Sequence, residues 1–342
     1  PVLIVEYASL IFTILFSSGS TTIVASLLYF FSIFREIKNT IIDTKTDANS
    51  MNFIFLFAIN KKNLKSAISK AVNLKLPWIS LTIVVLILLC ACLAPIMSPH
   101  DPERINMVDR RIAPFETTDH PLGTDVMGRD MASRMIYGAR TTVFISLVAL
   151  ATGAFVGSIL GMIAGYKGGW SDILIMRVSD AALGFPTVLV AMIIVTLLGA
   201  GMENIVLAVV ITVWARFARM IRGDVLAIKE YDFVTSAKIA GVSTPVIIAR
   251  HIFPNTVNTL MVITSLQVGQ VILLEASLSF LGLGLPPGAP AWGIMVSEGR
   301  TVILEVWWLA LFPGLAITIV VLAFNFFGDW LRDTLDPKLR RA

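Results

Sequence analysis

Few residues of this 342-residue chain carry chemistry, and most of those sit in apolar surroundings. Glu275 follows Gln267 and Gln270 inside an apolar run at 260–285. A carboxylate near the centre of a bilayer costs roughly 2.5–3.5 kcal/mol on insertion scales, so Glu275 should face protein or water rather than lipid. Its candidate roles are a place in a translocation path, an ion-coupling site, or an interhelical hydrogen bond or partner-subunit ion pair. Gln267 and Gln270 suit the same path, or act as polar glue between helices. His100, His120 and His251 are too scattered to supply a nucleophile–base pair or a metal relay. Asp125 and Asp130 flank glycine turns ahead of a helix expected near Met131, so turn and cap chemistry accounts for both acids, and for their neighbour His120, without catalysis. Cys90 and Cys92 share one apolar run and read as two small apolar residues rather than a redox or metal pair. The chain has no G-x-x-x-x-G-K-[ST] phosphate cradle, so it cannot bind a nucleotide in that way.

The elements that must position these residues are membrane helices. Apolar residues make up 56% of the chain and charged ones 15%, with mean hydropathy +0.82, against roughly 25% charged in soluble domains. The expected fold is all-α and polytopic, with a six-helix core and one possible extra span at the N-terminus. The net charge of +4 suits a cytoplasmic membrane face better than nucleic acid. Residues 1–76 form an N-terminal segment: an apolar part at 1–34, readable as an extra span, a signal-like piece or a mis-assigned start with Met51 as a later candidate, then a basic cytoplasmic lead-in. Residues 77–140 hold the first core span, 77–97, ended by Pro95, Pro99 and Pro102, and a loop with six Arg and seven Asp or Glu that alternation of the spans places outside. Residues 141–328 form the core of membrane spans, and 329–342 a cytoplasmic tail in which Lys338, Arg340 and Arg341 hold the C-terminus inside.

Within the core, spans are expected at 141–166, 173–198, 205–221, 260–285 and 309–327. Gly153, Gly157, Gly161 and Gly165 recur every fourth residue and so line one face of the second span, a seam for close helix packing. In the third span Arg177 and Asp180 stand three apart and can pair, and Pro186 should kink the helix. Arg216, Arg219 and Arg222 share a face at the inner end of the fourth, where topology explains them. Trp292, Trp307 and Trp308 mark an interface in the loop 286–308.

Between the fourth and fifth spans runs a polar loop, 223–258, whose central string is EYDFVTSAKIAGVSTPVIIARHIFPN. A small-residue helical run ends at Gly241, a C-cap glycine. Pro245 restarts a second run, and Pro254 stops it. This string resembles the cytoplasmic signature of permease subunits of ATP-binding cassette importers. That pattern reads Glu-Ala-Ala, three residues, Gly, nine residues, Ile, one residue, Leu-Pro. Thr235, Ser236 and Ala237 stand at the Glu-Ala-Ala positions, Gly241 is the fixed glycine and Pro254 the proline, while Thr235 and His251 replace the acid and the isoleucine. Three further strings, HPLGTDVMGRDMASRMIYGARTTV, ASLSFLGLGLPPGAPAWG and FNFFGDWLRDTLDPKLRR, resemble the dipeptide, oligopeptide and nickel group of these permeases, C-type subunit.

The resemblance, which covers about 75–341, implies a multi-pass inner (plasma) membrane subunit forming half of a translocation pathway for di- or oligopeptides. Nickel or another small solute is the alternative within the group, and an ion-coupled secondary transporter the alternative outside it. No cofactor or metal is implied, and the chain itself is not expected to be an enzyme. The implied partners are a second, different permease, two ATP-binding cassette ATPase subunits, an extracytoplasmic substrate-binding protein and the lipid bilayer, with no nucleic acid. Thr235, Ser236, Ala237, Gly241 and Pro254 would dock on an ATPase through a short coupling helix.

Overall fold

The computed structural model describes residues 77–335, so the expectations for 1–76 and for Lys338, Arg340 and Arg341 lie outside the described residues. Ten α-helices follow one another: α1 Pro77–Met97, α2 Met131–Lys167, α3 Gly169–Gly184, α4 Thr187–Leu198, α5 Met202–Ile228, α6 Asp232–Ile239, α7 Thr244–Ile247, α8 Phe253–Phe280, α9 Trp292–Arg300 and α10 Trp308–Leu335. A π turn, Ile248–Ile252, joins α7 to α8, and no strand occurs among the described residues. Five stretches are long and apolar enough to cross a membrane, and the bent pair α3 and α4 makes a sixth if counted as one span. The expected all-α, polytopic fold is therefore found.

α2 and α5 form the centre. Gly153, Gly157, Gly161 and Gly165 of α2 face α5, one helix face as their spacing predicts. A Cβ on Gly157 would stand 2.3 Å from the Trp214 carbonyl oxygen, and one on Gly161 2.5 Å from that of Ala218. Small residues let the two backbones touch, which is how helices associate where lipid removes the hydrophobic drive. Ile145, Leu150, Ile205, Phe217, Ile272 and Leu278 complete a buried core drawn from α2, α5 and α8.

Four expectations are corrected. The helix starting near Met131 and the span at 141–166 are one 37-residue helix. At 1.5 Å per residue it is about 55 Å long, well beyond a hydrocarbon core of about 30 Å. The third span is broken rather than kinked: α3 and α4 meet at 93°. Phe185 before Pro186 is extended (φ −102°, ψ 147°), as a residue preceding proline prefers, and Pro186 brings no N–H to continue the ladder. Pro95 lies inside α1, which runs on to Met97. Pro254 likewise does not stop its helix. The π turn absorbs the proline, with Phe253 N–H donating to the Ile248 carbonyl, and the helix continues to Phe280.

Candidate functional site

The two ends of the α2–α5 pair carry different chemistry. At the end holding the C-terminus of α2, the segment expected to dock on an ATPase is a short helix set on a small apolar anchor. Val234 of α6, with Ile247 and Ile252, packs on Met162, Ile221, Val225 and Ile228. Val234 is the only buried residue of α6, whose Thr235 and Ser236 are exposed and Ala237 half-buried. Gly241 ends the helix at φ +76°. Its N–H donates to the Lys238 carbonyl and that of Val242 to the Ala237 carbonyl, the paired bonds of a Schellman motif. Ile239 is 83% exposed. Tyr231 and Phe233 stack at 5.6 Å between ring centres, with His251 beside Phe233 at 6.3 Å. Pro254 is exposed at the start of α8. These residues form one apolar and polar surface around a short lever.

Midway along the bundle, Arg216 of α5 donates through Nη1 to Gln267 Oε1 at 3.1 Å and to Gln270 Oε1. Gln267 and Gln270 lie one turn apart on α8, Gln270 exposed and Gln267 half-buried. Glu275 does not join them. It is fully buried, with Oε1 accepting from Ser279 Oγ at 2.8 Å. The residue expected to line a path is thus enclosed in the bundle, while the two glutamines reach an open face together with an arginine that spacing had assigned to topology. The other arginines of that face also hold partners across helices. Arg219 binds Asp180 of α3, so the expected Arg177–Asp180 pair gives way to a bond across helices. Arg222 clasps Asp172 at 2.5 and 2.7 Å.

At the opposite end, the first two turns of α2 meet the loop 98–130 and α9. Asp130 caps α2, its Oδ2 accepting from the Ser133 N–H at 2.7 Å, as expected. Asp125 takes the backbone N–H groups of Met127 and Arg129 at 2.8 and 2.9 Å, the turn chemistry expected of it. It also anchors a buried ionic cluster that spacing did not disclose. Asp125 Oδ2 accepts from Arg129 Nε at 2.5 Å and from Arg134 Nη1 at 2.8 Å. Glu298 of α9 closes the set, 2.8 Å from Arg134 and 3.2 Å from Arg129. Two acids and two guanidiniums neutralise one another where Asp125 and Arg134 are both 0% exposed. Two of the three tryptophans stand here too, but not as interface markers. Trp292 and Trp308 are buried, with Nε1–H donated to the Met135 and Thr124 carbonyls at 3.0 and 3.1 Å.

The histidines are less scattered than their numbering suggests. His100, three residues past α1, stands with its ring centre 4.9 Å from that of His120. His120 Nδ1 lies 2.9 Å from Asp130 Oδ1. Only proximity in the folded loop brings these residues together.

Comparison with known proteins agrees with this architecture. The family described as binding-protein-dependent transport system inner membrane component matches residues 157–341, and the N-terminal TM domain of oligopeptide transport permease C matches 72–114. The glutathione transport system permease protein GsiD of Pectobacterium atrosepticum is 40% identical over 257 residues, 75% of this chain and 85% of that protein. The dipeptide transport system permease protein DppC of Bacillus subtilis is 39% identical over 268 residues, 78% of this chain and 83% of that one. The oligopeptide transport system permease protein OppC of the same organism is 37% identical over 286 residues, 83% of this chain and 93% of its own length. With membrane-length helices, a glycine-sealed core and the signature loop exposed at one end, the chain belongs to the family of binding-protein-dependent transport inner-membrane components.

Proposed function

We propose that this chain is one of two different permease subunits of an ATP-driven importer of di- and oligopeptides, each supplying half of the pathway. Two ATP-binding cassette ATPases bind on the α6 side, and an external binding protein delivers peptide at the end formed by the loop 98–130 and α9. The observation that carries this reading is α6, a short helix exposed on nearly every side, pinned by Val234 and bounded by Gly241. Such a helix fits a groove on another protein, and its shallow anchor lets it transmit a rigid-body push to α5 and α8. Thr235, Ser236, Ala237, Gly241 and Pro254 form this docking face. Gln267 and Gln270, with Arg216, line the pathway; an arginine held by two neutral amides keeps a charge free for a peptide carboxylate. Glu275 contributes from inside the bundle, coming into the path only when α8 moves. Peptide is favoured over nickel by the names of the relatives, which carry dipeptides, oligopeptides and glutathione.

The test is purification from membranes with whatever subunits accompany the chain, followed by uptake of labelled dipeptides and longer peptides into vesicles. Recovery of a second permease and ATPases, with uptake that needs ATP and the binding protein, is the expected result. Uptake by this chain alone, driven by an ion gradient, would refute it. The docking role is tested separately by Gly241→Val and Gly241→Asn. A Cβ at 241 meets nothing within 4 Å, so the backbone at φ +76° is the whole obstacle, costing roughly 1–2 kcal/mol for an ordinary residue and less for Asn. Gly241→Val should uncouple ATP hydrolysis from uptake while Gly241→Asn keeps most coupling; equal behaviour of the two would remove α6 as the lever.

A further inference from the structure

We infer that the loop end of the bundle holds a divalent transition-metal site, built from His100, His120 and Asp130 and fitted to Zn2+. One ligand atom from each of the three lies within 4.8 Å of the others. His120 Nδ1 is 2.9 Å and His100 Nδ1 3.9 Å from the Asp130 carboxylate. Three donors at about 2.0–2.1 Å around a tetrahedral Zn2+ stand about 3.3 Å apart, so the wider separations here have to close by about 0.6–1.5 Å, a movement within reach of a turn of the partly exposed His100 ring. Two imidazoles and one carboxylate, with a fourth position open, form the donor set of a zinc site that keeps a water or an external ligand.

Two observations separate this cluster from an ordinary polar loop contact. His100 Nδ1 is enclosed and has no hydrogen-bond partner, although the ring has solvent on its other side, where its side chain is 37% exposed. An imidazole nitrogen enclosed without a hydrogen-bond partner, 3.9 Å from a buried carboxylate, stands where one cation could bind both. The ligands are also oriented from behind. Asp130 Oδ2 is fixed by the Ser133 N–H and hydroxyl, both at 2.7 Å, and Oδ1 faces His120 Nδ1 at 2.9 Å, the contact that a metal between the two would replace. His120 turns its far nitrogen, Nε2, towards Asp109 Oδ2 at 3.9 Å, the outer carboxylate that ligating histidines commonly have. Access is open: a cleft of about 560 Å³ beside His100 is lined by Asp101, Glu103 and Tyr137, roomy enough for a hydrated ion and acidic at its mouth. The ligands come from the end of α1, the loop and the cap of α2, so the ion ties the first described span to the second.

The experiment uses the full chain in lipid nanodiscs, purified through a tag free of histidine, stripped with chelator and titrated with ZnCl2 by competition against a chromogenic indicator. The expected result is one Zn2+ per chain, with at least about tenfold weaker binding in His100→Ala and in His120→Ala. His251→Ala, at the other end of the bundle, should bind as the parent does. His100→Cys, which restores a soft donor at the same place, should recover most of the affinity. His100→Ala loses the ring contact with His120 but no side-chain hydrogen bond, so it should melt close to the parent when both are stripped of metal, and Zn2+ should raise the melting temperature of the parent only. Absence of stoichiometric binding by the parent would overturn the inference, and so would unchanged affinity in His100→Ala.

Discussion

Adding a single methyl group at successive positions of the α2 seam should change stability with opposite signs. A Cβ on Gly153 would meet Val213 Cβ at 3.6 Å, an ordinary contact, whereas on Gly157 it would meet the Trp214 carbonyl oxygen at 2.3 Å and Phe217 Cβ at 2.7 Å. The first obstruction on Gly157 is backbone, which cannot rotate away, so α5 would have to retreat from α2 by about 1 Å. Overpacking of this kind costs about 1–3 kcal/mol. Against it, alanine in place of glycine stabilises a helix interior by roughly 0.5–1 kcal/mol. Gly153→Ala should therefore be neutral or stabilising by a few tenths to about 1 kcal/mol, and Gly157→Ala destabilising by up to about 2.5 kcal/mol. Gly161→Ala, with 2.5 Å to the Ala218 carbonyl oxygen, should follow Gly157. The assay is thermal unfolding of the purified chain or complex in one detergent, read beside peptide uptake in vesicles. The three variants differ by the same methyl group, so detergent and lipid effects largely cancel. Equal melting temperatures for Gly153→Ala and Gly157→Ala would refute the close approach of α2 and α5.

Three further outcomes follow from the same geometry. Arg134→Leu removes one guanidinium from the Asp125 cluster and should cost about 3–5 kcal/mol, read as a large drop in melting temperature, while Arg111→Leu, from an exposed pair with Glu305 at 2.8 Å, should cost no more than about 1 kcal/mol. Trp308→Phe keeps the ring but strips the N–H from the buried Thr124 carbonyl; a loss of about 1–3 kcal/mol is expected, and no change in the melting curve would deny that bond. Arg216→Met should leave the fold intact, since Gln270 is already exposed, yet lower peptide uptake severalfold, and uptake equal to the parent would remove Arg216 from the pathway.

What could be read from the sequence divides by the range of the interaction. The glycine stride, the Asp130 cap and the Gly241 terminus are local, because helical periodicity and backbone capping act over three to six residues. They appear in the structure where expected. The family signature was legible for the same reason, as a contiguous string with fixed spacing. What spacing could not reveal are contacts across long loops. Arg134 meets Glu298 from 164 residues away, and Arg216 meets Gln267 from 51. Each is a charged residue in an apolar or loop setting, which signals a partner without naming it. Trp292 and Trp308 were misread because a tryptophan near a span end is common at a membrane surface; here the second turn of α2 supplies the acceptor for Trp292 and the loop 98–130 that for Trp308. Pro186 and Pro254 share a residue type and differ in outcome. One is preceded by an extended residue and breaks its helix; the other follows a widened turn that takes up its missing bond.

That widened turn also sets the phase of everything after it. A π turn accommodates one residue more than an α-helix needs, and each residue of an α-helix advances the azimuth by about 100°. Loss of one residue within 248–252 would let the ring contract to the ordinary thirteen-atom closure and leave α8 in phase. The same loss between Thr256 and Ser265 would swing Gln267 and Gln270 about a quarter-turn around the axis, away from the Arg216 guanidinium they now hold. A slip in length should thus be absorbed at the α6 end and not farther along α8, because the widened turn ends where α8 begins, at Phe253.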